Sequence, residues 1–385
     1  MNHKSKNSVA IIGAGIAGLT AGKALEDHGI KVSVFEAASV ISGIGAEIGL
    51  ASNAMKGLEY LGLVKPIKSI GSPIEEFSIC DPSGRIIFRV APHRLEKTYG
   101  HKSYAVHRAE LHKVLLASLS HTKIYLSKRL LNFQLKPEKV QLFFSDGTTA
   151  DFDYVLAADG IHSAIRKKLV PGSNERYAGY HCWRCITKVP KDFHFTGKAL
   201  WGPQGRFGLK PMSQNRAYWF ACLNTPRDGA YTRYGLADLQ NHFHAYNGVS
   251  ELLRYSQEEK IISDAIQDIA PLKNFFFDRI LLIGDAAHAT TPNMGQGAGM
   301  AVEDVAVLKQ ELERNNLQIA FQNVERRRLR RTAYIIKNSR RAGRIAQLDR
   351  KFYSTLRNWG FRNLPSAFTQ FPLRPLYDDN FLEIP

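Results

Sequence analysis

The chain has 385 residues and a formal net charge of +17; 44% of its residues are hydrophobic and 23% are charged. A chain of this length can bury a large core and usually divides into two domains, and the composition is that of a globular protein. Four cysteines argue against a disulfide framework, and without a secretory signal or an apolar run of roughly 20 residues we expect a cytoplasmic protein with no stable membrane insertion.

The N-terminal segment has the pattern of a strand, a glycine-rich turn, a helix and a second strand. Residues 8–12 form a short apolar run, residues 19–28 have a helical pattern that ends at Gly29, and residues 31–36 form the next strand. In such a βαβ unit the strands are parallel and the crossover is right-handed.

The turn of this unit has the sequence Gly13-Ala14-Gly15-Ile16-Ala17-Gly18. The first glycine permits a tight turn, the second lets the backbone approach a pyrophosphate, and the third allows close packing of helix and strand. The helix N-terminus offers unpaired N–H groups to phosphates. Glu36, followed by Ala37, ends the second strand and is expected to accept hydrogen bonds from an adenosine ribose. We therefore predict a dinucleotide site that includes Gly13, Ala14, Gly15, Ala17, Gly18, Glu36 and Ala37.

The middle of the chain alternates between helical and β patterns. The predicted elements are a glycine-rich segment at 43–49, a helix at 53–61, a hairpin at 75–90, a helix at 108–119, two β segments split by Asp146-Gly147, and a strand at 153–158 that ends at Asp159-Gly160. Residues 176–275 are mostly strand-like, and residues 279–284 resume the first domain before a helical C-terminal part.

This order predicts an α/β (α+β) protein: a discontinuous Rossmann-like domain, an inserted, mostly antiparallel β-sheet domain, and C-terminal helices. We assign 1–74, 100–175 and 276–360 to the nucleotide domain, 75–99 and 176–275 to the inserted domain, and 361–385 to a tail. The tail is expected to pack on the nucleotide domain or on a partner subunit.

A second glycine-rich loop, residues 284–297, lies far along the chain from the first. NAD proteins need only the first βαβ half. The second loop predicts a longer cofactor held at both ends, and we expect FAD.

With its three motifs in this order, the chain resembles the single-component FAD-dependent aromatic hydroxylases, which include para-hydroxybenzoate, salicylate and urate hydroxylases and zeaxanthin epoxidase. The resemblance covers roughly residues 8–380 and includes 177–180, Trp183-Arg184 and the 206–220 hairpin. It implies FAD as the cofactor, and NADH or NADPH as a transient co-substrate, since no second GxGxxG is present. It also implies that O2 forms a flavin C4a-hydroperoxide, which hydroxylates a small aromatic or heteroaromatic substrate.

The resemblance also implies roles for particular residues. Asp285 would bind the ribityl chain, Pro292 would lie against the isoalloxazine ring, and Arg108 would approach the pyrophosphate. The Asp159-Gly160 motif would serve FAD and the nicotinamide cofactor. The remaining implied contacts with FAD are Gly284, and Gly295, Gln296, Gly297 and Ala298 at the start of a helix that faces the flavin.

The substrate pocket is expected between the flavin and the inserted sheet. Strand alternation places Arg206, Gly208 and Lys210 on one face. Two cations would then flank a gap left by the glycine and suit an anionic substrate, although both could instead face solvent. With Pro292, Arg206 and Lys210 are our candidate catalytic residues. Tyr218 and Phe220 share a face and are predicted to line the pocket.

Other polar residues near this region have less definite roles. Glu47 could contact the flavin region, act as a base or cap its loop. His181 and Arg184 are lesser pocket candidates, and for His181 a buried or surface role is favoured over catalysis. No general base for a phenol is identified, so an epoxidase or a reductase on the same scaffold remains an alternative.

Two further features have simple interpretations. Cys182 and Cys185 have CxxC spacing, but strand alternation would point them to opposite faces, so we predict no metal site. The basic segment 325–344 could bind nucleic acid or anionic lipid, in a protein that merely retains a flavin fold. We favour a solvated helix face with Leu329, Ala333, Ile336 and Ala342 packed inward, no nucleic-acid partner, and a monomer or homodimer.

Overall fold

A computed structural model describes residues 7–41, 47–90, 92–227, 229–363 and 380–383. The glycine-rich stretch at 43–46 and residues 364–379 of the predicted tail lie outside this part of the chain. The strands are β1 (Ser8–Ile12), β2 (Lys31–Phe35), β3 (Glu47–Leu50), β4 (Ser72–Pro73), β5 (Phe77–Cys80), β6 (Ile86–Val90), β7 (Tyr104–His107), β8 (Lys123–Tyr125), β9 (Leu130–Leu135), β10 (Val140–Phe144), β11 (Thr149–Phe152), β12 (Tyr154–Ala157), β13 (Glu175–Lys188), β14 (Lys198–Gly202), β15 (Gly205–Met212), β16 (Arg216–Asn224), β17 (Ile262–Ile269), β18 (Phe276–Phe277) and β19 (Ile280–Leu282). The helices are α1 (Ile16–Asp27), α2 (Ser52–Tyr60), α3 (Val64–Ile70), α4 (Pro92–Tyr99), α5 (Arg108–Ala117), α6 (Ala164–Leu169), α7 (Leu236–His242), α8 (Val249–Leu253), α9 (Asp285–His288), α10 (Gly297–Leu312), α11 (Leu317–Ala346) and α12 (Lys351–Asn363).

The nucleotide domain is built on a six-stranded sheet with the order β18-β19-β12-β1-β2-β8. All of its strand pairs are parallel except β18 with β19. The apolar runs of β1, β12 and β19 are buried, as expected for a parallel sheet that is covered on both faces. This arrangement confirms the predicted α/β class with a Rossmann-like domain.

The inserted domain is a seven-stranded sheet with the order β17-β13-β16-β15-β14-β5-β6. Its pairs are antiparallel except β14 with β5, so the 75–90 hairpin joins this sheet. Helices α7 and α8 pack on one face, where Leu239 and Phe243 lie against Phe207 and Trp219. These two helices were not foreseen in a region with mostly strand-like patterns.

The long helix α11 carries the basic segment, and the prediction that this segment is a solvated face is partly wrong. Arg328 and Arg331 are buried against α10, while Arg326 and Arg330 are exposed. The reason is that α10 presents two buried carboxylates to α11. No described helix is both long and apolar enough to cross a bilayer.

Part of the C-terminal tail packs on the nucleotide domain. Phe381 is buried, its backbone oxygen accepts a hydrogen bond from Arg327 Nη2 at 2.8 Å, and its ring lies 6.2 Å from that of Tyr99.

Candidate active site

The three predicted motifs meet at one edge of the six-stranded sheet. They follow β1, β12 and β19, which are neighbours in the sheet. A Cβ built on Gly13 would overlap the backbone oxygen of Ala158, and one built on Gly284 would lie 2.8 Å from the Ala17 Cβ. Ligands of open α/β sheets bind beyond the carboxyl ends of the strands. The convergence of these loops therefore marks a candidate cofactor site.

The first loop has the geometry of a phosphate cradle. Gly13 has a φ of +104°, and a Cβ on Gly18 would overlap the Gly13 oxygen, so both positions require glycine. A Cβ on Gly15, in contrast, would meet no atom within 4 Å, so the backbone there borders open space. Glu36 Oε2 accepts a hydrogen bond from Ala14 N at 2.8 Å, and this bond fixes the loop to the end of β2.

The loop after β12, the second of the three motifs, carries a carboxylate with one oxygen that lacks a hydrogen-bond partner. Asp159 Oδ2 accepts a hydrogen bond from Ala164 N at 3.0 Å. Its Oδ1 is buried and has no partner among the described residues, and burial raises the pKa of this carboxyl. Gly160 beside it borders open space. Because buried acceptors are normally bonded, Oδ1 fits a donor supplied by a ligand.

The third loop, residues 284–297, places a carboxylate and a helix N-terminus in the same cleft. Asp285 reaches solvent in the cleft, but the surrounding protein desolvates it and raises its pKa, an effect that His288 and Arg108 only partly offset. A Cβ on Gly295 would meet no atom within 4 Å. The N-terminal turn of α10, which follows, contains no acidic residue and borders this space. A helix N-terminus in that position favours negative charge on a bound group.

His112 is a residue of this region that sequence reasoning missed. It lies on α5 four residues after Arg108, on the same helix face. It is buried, and neither of its ring nitrogens has a partner within the part of the chain that the structure describes. Burial and the nearby Arg108 lower the pKa of His112, while Glu36 raises it. The i, i+4 spacing from Arg108 was the signal that could have identified it.

A buried ionic cluster links the third loop to α10 and α11. Asp304 Oδ2 accepts hydrogen bonds from Gly284 N at 2.9 Å and from His288 Nε2 at 2.6 Å, and Oδ1 accepts one from Arg328 Nε at 2.8 Å. Burial alone would raise the pKa of Asp304, but His288 and Arg328 lower it by more, so the net pKa is below its ordinary value and the carboxylate remains ionised. Asp304 thereby ties the turn at Gly284 to α11.

The adjacent carboxylate on α10 holds the other end of the loop. Glu303 pairs with Arg331 at 2.8 Å and with Arg328 at 2.7 Å. Asn53 Nδ2 donates to Glu303 Oε1 at 2.5 Å and to Gln296 Oε1 at 2.9 Å. These contacts position Gln296 immediately before α10, so its side chain has a structural partner besides any cofactor.

The described residues fit FAD. At Gly15, Gly160 and Gly295, backbone borders open space, where a flavin dinucleotide could approach closely. Asp159 offers an unpartnered acceptor, and the N-termini of α1 and α10 favour negative charge at two separate points of the cleft. When bound, FAD supplies the redox chemistry that side chains lack.

The inserted sheet presents the predicted substrate residues on one face. In the register of β15 and β16, Gly208 opposes Phe220 and Lys210 opposes Tyr218, and Arg206 lies on the same face. The expected gap at Gly208 was wrong, because the Phe220 ring fills it: a Cβ on Gly208 would overlap that ring.

Arg206 is buried and hydrogen-bonded to the third loop. Its Nη1 donates to Asn293 Oδ1 at 2.9 Å and its Nε donates to Gln347 Oε1 at 2.7 Å, while the guanidinium lies 5.2 Å from the Tyr180 ring centroid. No described carboxylate pairs with it. Asn293, which directly follows Pro292, was not foreseen and connects the sheet to this loop.

Two cysteines lie on the face of the inserted sheet that carries Arg206, which we call the Arg206 face. Cys182 and Cys222 are free and directly opposed across β13 and β16. Burial raises the pKa of the Cys222 thiol, but the hydrogen bond with Cys182 and the charges of Arg206 and Arg184 bring this pKa down to about 7. Arg206 and Arg184 thus both place positive charge next to this thiol.

Lys210 differs from the expectation of a free cation. Its Nζ lies 3.3 Å from both carboxylate oxygens of Glu47 and 5.6 Å from the Phe77 ring centroid. The lysine borders a cavity of about 320 Å³ that Ile74 and Phe195 also line. Glu47 thus balances the charge of Lys210, so of these two cations only Arg206 has no carboxylate partner among the described residues.

The remaining candidates all lie on β13. Cys182 and Cys185 belong to different packing clusters on opposite faces of β13, as alternation predicted. His181 is buried and bonded to Ser263 Oγ at 2.7 Å. Arg184 pairs with Asp264. The described residues include no cluster of His, Cys, Asp or Glu that could hold a metal ion.

Comparisons with known proteins agree with this geometry. Residues 6–315 match the family described as FAD binding domain. The chain is 31% identical to an aurachin C monooxygenase/isomerase of Stigmatella aurantiaca, with 94% of this chain and 96% of that protein covered. It is 31% identical to an FAD-dependent urate hydroxylase of Klebsiella pneumoniae, with 90% and 94% covered.

Solved structures also match over nearly the whole chain. Klebsiella pneumoniae HpxO complexed with FAD and uric acid superposes with a TM-score of 0.87 at 27% identity, with 98% of this chain and 97% of that chain covered. The chain therefore belongs to the FAD binding domain family and is an FAD-dependent monooxygenase, an oxidoreductase of the aromatic hydroxylase class.

Proposed function

We propose that the protein uses NADH or NADPH and O2 to hydroxylate a small anionic aromatic or heteroaromatic compound held against the Arg206 face. The observation that carries this proposal is the buried guanidinium of Arg206, which lacks a described carboxylate partner and bonds to Asn293 beside Pro292. A buried charge is costly unless it is paired. An anionic substrate would supply the missing partner next to the flavin.

The heteroaromatic part of the proposal is supported by the relatives. A urate hydroxylase is among them, and HpxO binds uric acid together with FAD. Buried Tyr218 and the neighbouring Phe220 offer ring surfaces on the Arg206 face. Burial raises the pKa of Tyr218 well above its ordinary value, so its hydroxyl stays protonated and can donate to a substrate oxygen.

In this proposal the cofactor contacts are those inferred from the sequence. Gly13, Ala14, Gly15, Ala17 and Gly18 hold the pyrophosphate with Arg108, and Glu36 and Ala37 hold the adenosine. Asp159, Gly160, Gly284 and Asp285 line the middle of the cleft. Pro292 and Gly295, Gln296, Gly297 and Ala298 adjoin the flavin ring, where the α10 N-terminus favours the negative charge of the reduced cofactor. His112 is added as a contact near Glu36.

The Lys210–Glu47 pair positions the far side of the pocket in this proposal. The two charges neutralise each other, and the lysine borders the cavity beside Phe77. Of the candidate catalytic residues, Arg206 binds the substrate anion, Pro292 lies against the isoalloxazine ring of the flavin, and Lys210 fixes Glu47.

The domain assignment follows the same division. Residues 1–74, 100–175 and 276–360 hold the cofactor, 75–99 and 176–275 hold the substrate, and part of the 361–385 tail packs on the cofactor domain. We propose a cytoplasmic protein, for which four free buried cysteines are suitable, in a monomeric or homodimeric state.

A substrate screen under ¹⁸O2 tests the proposal. Anionic aromatic compounds are added to the FAD-loaded protein, and NADH or NADPH oxidation and product mass are measured. We expect an anionic ring to accelerate flavin reduction and its product to carry one ¹⁸O atom. Products without ¹⁸O would indicate a reductase, and turnover of only uncharged compounds would contradict the role of Arg206.

A further inference from the structure

The outer face of α12 carries the largest group of exposed apolar side chains on any described helix. Phe352 is 72%, Leu356 52% and Trp359 63% exposed, and Tyr353 is 49% exposed. Positions 352, 356 and 359 have the i, i+4, i+7 spacing of one helix face. Contiguous exposed apolar surface of this kind marks an interaction site.

The opposite face of α12 packs firmly on the inserted sheet. The Arg357 guanidinium lies 5.1 Å from the Trp201 ring centroid, and the Phe361 ring lies 5.3 Å from that of Phe88. Arg362 pairs with Asp81. The helix is therefore fixed to the protein with its apolar side facing outward.

Most of the charges around this face are positive. Residues 351–363 contain no acidic residue. Exposed Arg341 and Arg344 lie near the end of α11, and exposed Arg350 and Lys351 lie at the start of α12. The neighbouring acid, Asp349, accepts a hydrogen bond from Asn224 Nδ2 at 2.9 Å. An apolar face with aromatic residues and a basic border is the composition of a helix that lies in a lipid interface.

We propose that α12 docks the protein on an anionic lipid surface. Phe352, Leu356 and Trp359 enter the boundary between headgroups and acyl chains, and Arg350 and Lys351 lie at the level of the lipid phosphates. The docking is peripheral, because the helix lies parallel to the surface and does not cross it.

A second copy of the chain fits this face less well. Symmetric pairing through α12 would bring two basic faces together, and neither α12 has an acidic residue that could compensate. An anionic surface satisfies the same cations. The net charge of +17 also directs the whole protein toward such a surface.

Vesicle co-sedimentation tests the proposal with the FAD-loaded full chain. We expect binding to phosphatidylcholine vesicles that contain phosphatidylglycerol, and much weaker binding to phosphatidylcholine alone. Leu356→Glu and the double change Arg350→Glu with Lys351→Glu should each weaken binding by about tenfold or more. Leu131→Glu is the matched control, because Leu131 is 62% exposed on β9, outside this face; it should bind like the wild type.

Tryptophan quenching by brominated lipids locates the contact. Trp183 and Trp219 are fully buried and Trp201 lies beneath Arg357 of α12, so quenching should come from Trp359 and disappear in Trp359→Phe. Failure of the wild type to bind anionic vesicles would overturn the proposal. An equal loss in Leu131→Glu, or a dimer that Leu356→Glu dissociates while vesicle binding is absent, would overturn it as well. These readouts do not depend on activity, so they are separate from the test of the proposed function.

Discussion

Gly284 lies against Ala17: a Cβ placed on Gly284 would come within 2.8 Å of the Ala17 Cβ, although the two residues are far apart in the sequence. This contact brings the loop after β19 onto the first turn of α1. The strand order β19-β12-β1 explains it, because neighbouring parallel strands end at the same edge. One cleft is thereby bordered by both glycine loops.

Replacing Gly284 by alanine should therefore weaken FAD binding. Gly284 has a φ of +57° and lacks room for a methyl group, so the loop must move away from Ala17. A left-handed residue with a Cβ costs about 1–2 kcal/mol, and with the crowding we expect at least about a tenfold rise in the FAD dissociation constant. Flavin fluorescence quenching measures it.

The control for this change is Gly147→Ala. Gly147 has a φ of +80°, but a Cβ there would meet no atom within 4 Å. It should lose some stability and keep its FAD affinity. Equal FAD affinity in Gly284→Ala and Gly147→Ala would contradict the role of the contact.

Asp285→Asn should separate stability from cofactor binding. The surrounding protein desolvates the Asp285 carboxyl and raises its folded-state pKa although the side chain reaches solvent in the cleft, so the charged form costs some stability above that pKa. The neutral amide removes this cost, and the melting temperature of the cofactor-free protein should rise at neutral pH. A charged acceptor for FAD is lost, so the dissociation constant should rise about tenfold or more.

Calorimetry of Asp285→Asn with and without FAD measures both the melting temperature and the FAD affinity. Asp151→Asn, an exposed residue near Lys136, should change neither quantity appreciably. A lower melting temperature of cofactor-free Asp285→Asn would refute the argument.

Glu303→Gln should strongly destabilise the fold. Burial raises the pKa of Glu303, but Arg331 and Arg328 lower it more, to about 2. Loss of this charge leaves buried arginines underpaired, and breaking such a pair costs about 3–5 kcal/mol. Urea denaturation should show this loss, whereas Glu76→Gln in an exposed pair should cost less than about 1 kcal/mol.

The Glu303 carboxylate also predicts a loss of protein stability in acid. Because the folded-state pKa of Glu303 is below its ordinary 4.5, its contribution is complete above pH 4.5 and is lost as the pH falls toward about 2. The stability difference between wild type and Glu303→Gln should shrink over this range. A difference that stays constant between these pH values would contradict the assignment.

Arg206→Gln should raise the KM for an anionic substrate and leave FAD binding intact. A hydrogen bond to a charged group contributes about 1.5–3 kcal/mol, which corresponds to roughly a tenfold to hundredfold loss of kcat/KM. Arg184→Gln is the control, since Arg184 lies on the same face but already pairs with Asp264. An unchanged KM in Arg206→Gln would place the substrate elsewhere.

The sequence was sufficient to predict the convergence of the motifs but not the partners of individual charges. Gly13, Asp159 and Gly284 each follow a buried strand, and parallel strands end at one edge, so their meeting could be inferred. The pairing of Lys210 with Glu47 could not, because it joins β15 of one sheet to β3 of another. Alternation placed Phe220 on the correct face, but only the packing shows that its ring occupies the space beside Gly208.

The basic helix illustrates the same limit. The arginines of α11 look alike in sequence, and their burial depends on where Glu303 and Asp304 of α10 lie across the helix interface. His112 was missed for a related reason: its spacing from Arg108 places both on one helix face, but the local sequence does not show that both ring nitrogens lack partners among the described residues.

Comparative titration with FAD, FMN and ADP tests the central claim most directly, namely that both glycine loops hold a single FAD. FMN lacks the adenosine half and ADP lacks the flavin half, so each should contact only one loop. We predict one FAD bound per chain, with an affinity at least about a hundredfold higher than that for FMN or ADP, since two linked contacts add their free energies. A protein that stays colourless with FAD, or that binds FMN as tightly as FAD, would contradict the account.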